Sequence, residues 1–219
     1  GRLSKMKGEV RANAILVMKD IIKETKRIRF EGNNYSEEWH KEAEKRGLPN
    51  MKTTPEALEL FLNKDVYDLF ESFKVLSKRE LESKVEIKLE TYVKIKDIEY
   101  KVAISMARTM IMPAVSTHIK NNADASVSSD KAGIKSKALL DELKKAEKSY
   151  SDIKDNVERF EETLKKITKI DNLHKKAHAF AEDGAKELSN LREAVDSAEM
   201  IIADNLWPMT KYQDLILKL

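Results

Sequence analysis

The chain has 219 residues, 36% charged and 6% aromatic, with 41 basic against 38 acidic side chains interleaved along its length. Interleaving describes a solvated surface and excludes the clustered basic stripe that an electrostatic nucleic-acid surface needs. The lack of cysteine excludes a disulfide framework or thiolate metal site, and no run approaches the roughly 18 apolar residues of a membrane span, so the reading is a cytoplasmic protein without nucleic-acid or membrane partners.

The chain starts with Gly1 rather than Met, which reads as a piece cut from something longer with its first residues left by cloning. Val10, Ala14, Val17, Met18, Ile21, Ile22 and Ile28 then recur at three- and four-residue spacing. This predicts a helix over residues 9–27 with one buried face.

Residues 30–50 differ from the charged helices around them. They hold two of the six glycines, one of the two tryptophans and one of the four prolines, residue types with specific backbone or packing demands. Gly32, Asn33 and Asn34 permit a sharp turn after Phe30, and Ser36 fits an N-cap with Glu37 and Glu38 in the first helical turn. Gly47 is the expected left-handed C-terminal residue, with Pro49 blocking continuation. Trp39 and Ala43 share a face, so the short helix docks through Trp39.

Thr54 reads as the next N-cap, with Pro55 at the first helical position. Leu58, Phe61 and Leu62 give that helix an apolar face, and Val66, Leu69, Phe70 and Phe73 mark another. Ser77 and Glu80 form a capping box, with Leu76 and Leu81 as its hydrophobic staple, and losing the Ser77 hydroxyl costs about 1 kcal/mol. From there to residue 119 only Pro113 interrupts a rod of roughly 60 Å, and it should kink the rod about one turn earlier. Val85, Leu89 and Tyr92 lie on one face and Ile87, Ile95 and Ile98 on another, which predicts packing on several sides. Residues 121–130, reading NNADASVSSD, are expected to form a mobile loop.

Leu143, Ala146, Tyr150, Ile153, Val157, Phe160, Leu164 and Ile167 step by three and four without a break, which predicts one helix with a coiled-coil seam. A turn over residues 168–172, capped by Asp171 or Asn172, leads into a returning helix carrying Leu173, Ala177, Phe180, Leu188, Leu191, Val195, Ala198 and Ile202. The fold class is therefore all-α: a long antiparallel helical hairpin packed on a long Pro-kinked helix and several short helices. Residues 1–76 hold the N-terminal helix, the Gly/Trp joint and the short helices, and residues 77–219 the long-helix bundle, the two forming one structural unit.

Catalytic motifs are missing: there is no phosphate loop, no H-E-x-x-H, no G-x-S-x-G and no cysteine nucleophile. His174, His178 and Glu182 fall at successive i+4 positions, a spacing zinc can use. Nearby Lys175, Lys176 and Lys186, with no second ligand helix indicated, favour a half-exposed polar stripe instead. Tyr35, Trp39, Trp207 and Tyr212 stand at helix ends beside Gly or Pro, where anchoring chain reversals outweighs ligand stacking.

The wording of residues 30–50, continued by Lys52 to Leu58, resembles the start of the C-terminal region of type III glutamine synthetases. Glu80 to Lys84, Glu86, Ile87, Leu89, Glu90 and Tyr92 look like that family's long helix, as do Met106, Ala107 and Ile111 to Val115. Trp207, Pro208, Tyr212, Asp214 and Leu215 resemble its ending, with Thr210 where the family has a second proline. The signature residues are Gly32, Tyr35, Trp39, Gly47, Pro49, Pro113, Trp207, Pro208 and Tyr212.

The resemblance implies a parent enzyme that joins ammonia to glutamate with ATP and Mg or Mn. Its partners would be an upstream catalytic domain of the same chain and further copies in a homo-oligomer. This piece would then be an accessory domain for assembly or regulation, inactive alone and without cofactor. The alternative is a free-standing helical scaffold that binds a protein through its coiled-coil seam.

Overall fold

Long stretches free of glycine and proline dominate the architecture. The computed structural model describes residues 2–217, apart from the side chains of residues 212, 213 and 217, and every regular element among them is helical. The all-α class is the one observed. By contacts the chain divides between Lys52 and Thr53, not at 76/77, because the short helices over residues 54–72 pack on the long helix that follows them.

The first unit contains α1 (Val10–Glu24), a 3₁₀ turn (Thr25–Ile28) and α2 (Glu37–Lys45). The helix expected over residues 9–27 thus tightens in its last turn, as helix ends commonly do. No residue of α1 is buried: Val10 is 75% exposed, Ile15 61% and Met18 60%. The stripe has the periodicity of a buried face without the burial expected of it.

The second unit begins with α3 (Thr54–Glu59) and α4 (Lys64–Ser72). Thr53, rather than Thr54, is the N-cap of α3: its hydroxyl accepts from the Glu56 N–H, and Glu56 accepts from the Thr53 N–H. Helix α5 (Lys78–Met106) opens on the expected capping box, with Ser77 and Glu80 exchanging hydrogen bonds. A π-helical turn, Ala107–Ile111, leads directly into α6 (Met112–Lys131), so Pro113 lies inside a continuous helical run, immediately after the π-turn, and leaves one amide hydrogen bond unmade there. Arg108 in the π-turn makes two bonds to Glu161 of α7 (Lys137–Thr168), at 2.9 and 2.8 Å.

Residues 121–130 are helical and not a loop. Asn, Asp and Ser lower helix propensity, but nothing in the stretch forbids the helix, and α6 packs along α7, so tertiary contact decides. The true stop is Gly133, at φ 82°, whose N–H reaches the Asp130 carbonyl while that of Ile134 reaches Ser129.

Helix α7 packs against both α6 and α9 (Ala185–Glu199). Ala146, Ile153, Val157, Phe160, Leu164 and Ile167, all seam positions, are buried. The connection to α8 (Leu173–Ala179) is capped by Asn172, which accepts from the Lys175 N–H at 2.9 Å. A second π-turn, Phe180–Gly184, joins α8 to α9. Tyr100, Ile104, Ile111, Val115, Phe180, Leu191 and Ile202 complete the core, and α10 (Tyr212–Leu217) ends the described chain.

Candidate functional site

In the first unit the Gly/Trp segment is a joint built on two helix ends. The rings of Phe30 and Trp39 stack with centroids 4.6 Å apart. A β-carbon on Gly32 would lie 2.7 Å from the Phe30 ring, so glycine there makes room for the stack. Ser36 caps α2, its hydroxyl accepting from the Trp39 N–H at 3.4 Å. Gly47, at φ 65°, closes it: the Leu48 N–H reaches the Ala43 carbonyl and the Gly47 N–H that of Glu44.

Two arginines not singled out from the sequence hold this joint. Arg46 Nη1 donates to the carbonyls of Lys26, Arg27 and Arg29, at 3.2, 3.3 and 2.7 Å, while Glu42 anchors its Nε. Arg27 reciprocates, donating to the carbonyls of Arg46 at 2.6 Å and Gly47 at 3.4 Å. Each guanidinium satisfies carbonyls left open at the other helix's C-terminal end, where the helix dipole also favours a cation. The Arg46 guanidinium lies 5.7 Å from the Trp39 ring centroid. Tyr35 is 93% exposed and anchors nothing, contrary to expectation, and Pro49 is exposed beyond the helix stop.

In the second unit, His174 and His178 converge on one carboxylate. His174 Nδ1 lies 3.0 Å from Glu59 Oε1 and His178 Nε2 lies 3.1 Å from Glu59 Oε2, while His178 Nδ1 is 3.6 Å from Glu182. The i+4 spacing thus serves a clasp between α8 and the end of α3. Among the described residues no group of three or more His, Asp or Glu side chains is placed to hold a metal ion. Burial pushes the Glu59 carboxyl upward, but hydrogen bonds from His174 and then His178, with their charges, outweigh it and leave it below its ordinary value. Glu59 was missed because it is over a hundred residues from its partners.

The buried centre lies around Tyr100. Its hydroxyl donates to the Phe180 carbonyl at 2.9 Å, and its ring contacts those of Phe160 and Phe180. Burial pushes the phenol up to about 12. Trp207 is buried in the same core with its indole N–H unpartnered, Pro208 beside it is exposed, and the side chain of Tyr212 lies outside the described residues. A groove of about 650 Å³ between α7 and α9 is lined by residues including Lys145, Lys148, Asp152 and Arg159. Lys145 pairs with Glu142, Lys148 with Asp152 and Arg159 with Glu187, so its cations are locally compensated.

These arrangements stiffen helix ends and helix contacts; none brings a nucleophile to a general base. The coiled-coil seam is covered within the bundle, so a partner cannot use it without unpacking α7. Among the described residues no helix is long and apolar enough to cross a membrane.

Residues 13–130 match the family model of the glutamine synthetase C-terminal domain, and the chain belongs to that family. It is 30% identical over 207 residues to a glutamine synthetase of Bacteroides fragilis, covering 91% of this chain and 28% of that relative. It is 29% identical to the type-3 glutamine synthetase of Dictyostelium discoideum, with the same coverage. With a glutamine synthetase of Butyrivibrio fibrisolvens it shares 28% identity, covering 92% of this chain and 30% of that relative. The chain spans less than a third of the relatives' length.

Proposed function

We propose that this chain is a non-catalytic accessory domain of a type III glutamine synthetase. The parent joins ammonia to glutamate at the expense of ATP with Mg or Mn, and this domain helps assemble or regulate a homo-oligomer. The observation that carries the reading is the uneven match: nine tenths of this chain aligns with under a third of each synthetase. The nucleotide, metal and glutamate sites then belong to the catalytic region preceding this domain.

Supplied with ATP, glutamate, ammonia and Mg²⁺, the isolated chain should produce no glutamine; clear turnover would sink the reading. The assembly role is tested by deleting residues 53–219 from the parent and weighing the particles by mass photometry. A smaller assembly is expected, whereas unchanged size together with unchanged turnover and regulation would remove the role.

A further inference from the structure

The apolar face of α1 has nothing to pack on within its own unit. Val10, Ile15, Met18, Ile21 and Ile22 are all exposed, and the same unit buries one side chain among its described residues, that of Ala43. A helix of this composition is not held in water by propensity alone, and a contiguous bare aliphatic face marks an interface.

We infer that this face is the seat of the catalytic region that precedes the domain in the parent synthetase, an inference that rests on the reading under Proposed function. Three observations select that occupant over a second copy or an unrelated protein. The family match begins at residue 13, inside α1, which places this helix where the domain meets what comes before it. The chain accounts for 28% of the Bacteroides fragilis relative, so more than two thirds of such a polypeptide lies outside the structure. Beyond Arg11 in the first turn, which lies on the same side, the face is aliphatic, with Lys19, Asp20 and Lys23 turned toward the other side by the helical repeat, a composition nearer a permanent interface than a transient one.

The test uses the full-length parent. Because this chain has no cysteine, Met18→Cys and, as the polar-face control, Lys19→Cys each add one reporter to it, followed by peptide-resolved mass spectrometry of maleimide labelling. In the native parent, labelling at position 18 should be slower than at position 19 by about tenfold or more, with the two rates equal in urea. Equal native rates would overturn the inference. The occupant is read from the wild-type parent carrying photo-methionine at Met18: crosslinks to peptides upstream of Gly1 are expected. Crosslinks confined to residues 53–219, or to residue 18 of another copy, would overturn it. A parent that makes glutamine yet labels position 18 rapidly loses the inference and keeps the proposed function. A reading frame without an upstream ligase region removes the proposed function itself.

Discussion

A β-carbon on Gly184 would stand 2.4 Å from Cε2 of Tyr100, so the bare backbone of the second π-turn admits the phenol ring to its bond with the Phe180 carbonyl. Gly184→Ala should force the ring or the helix to shift and cost about 1–3 kcal/mol, as overpacking does. Tyr100→Phe keeps the ring but removes the hydrogen bond that the phenol donates to the Phe180 carbonyl, at about 0.5–1.5 kcal/mol. Urea unfolding of the three proteins checks both, and equal midpoints would mean that the contact carries no stability.

The arginine exchange in the first unit makes a different demand. Arg46→Lys leaves a single ammonium where Nη1 reaches three carbonyls, Nε is held by Glu42 and the planar group lies by Trp39, so lysine should not rescue the loss seen with Arg46→Ala. The alanine variant should lower local stability by about 1–3 kcal/mol. Hydrogen exchange at residues 43–48 reports it, with faster exchange expected in both variants and the second unit unaffected.

Glu59 links stability to pH with a definite sign. Its folded pKa lies below the ordinary 4.5 despite opposition from burial, because His174 and His178 hydrogen-bond to the carboxylate. A depressed carboxyl stabilises the fold above its unfolded pKa, and the contribution fades as pH falls through the folded value. The Tm difference between wild type and Glu59→Gln should therefore be present above about pH 4.5 and shrink in more acidic buffer. Solvent screening keeps it small, because the side chain is 37% exposed. A difference that grew in acid would refute the assignment.

Lys74 is the non-glycine residue with positive φ, 55°, among those described. It sits where a helix-ending glycine is favoured: the Lys74 N–H reaches the Glu71 carbonyl and that of Val75 the Phe70 carbonyl. Lys74→Gly should stabilise by about 0.5–1 kcal/mol, and Ser77→Ala, three residues on, should destabilise by about 1 kcal/mol. Denaturation midpoints moving in opposite directions would confirm the pair.

What the sequence disclosed divides along physical lines. Ser36, Gly47 and Ser77 act on backbone groups within a few residues, so their types and spacing were enough. The continuous phase from Leu143 to Ile167 likewise marked α7 as one helix. Thr53 was displaced by one position because Thr54 has the same chemistry and only backbone geometry separates them. Residues 121–130 misled because local propensity was weighed without the helix packed against them. Arg46, Glu59 and Tyr100 act on groups distant in sequence, which no local pattern encodes. Burial of the α1 stripe was inferred from periodicity, which records the shape of a face but not its occupant.

The two π-turns have a consequence for chain length. Each accommodates one residue more than α-helical hydrogen bonding would. Deleting one residue from either removes that surplus: α geometry resumes, and Ala114 and Val115 after the first turn, or Leu191 and Ala198 after the second, keep their buried faces. The same deletion in the uninterrupted α7 has no surplus to draw on and would rotate everything beyond it by about 100°. Among the described residues the two π-turns are therefore the places where a helix can lose a residue without turning its remainder out of the core.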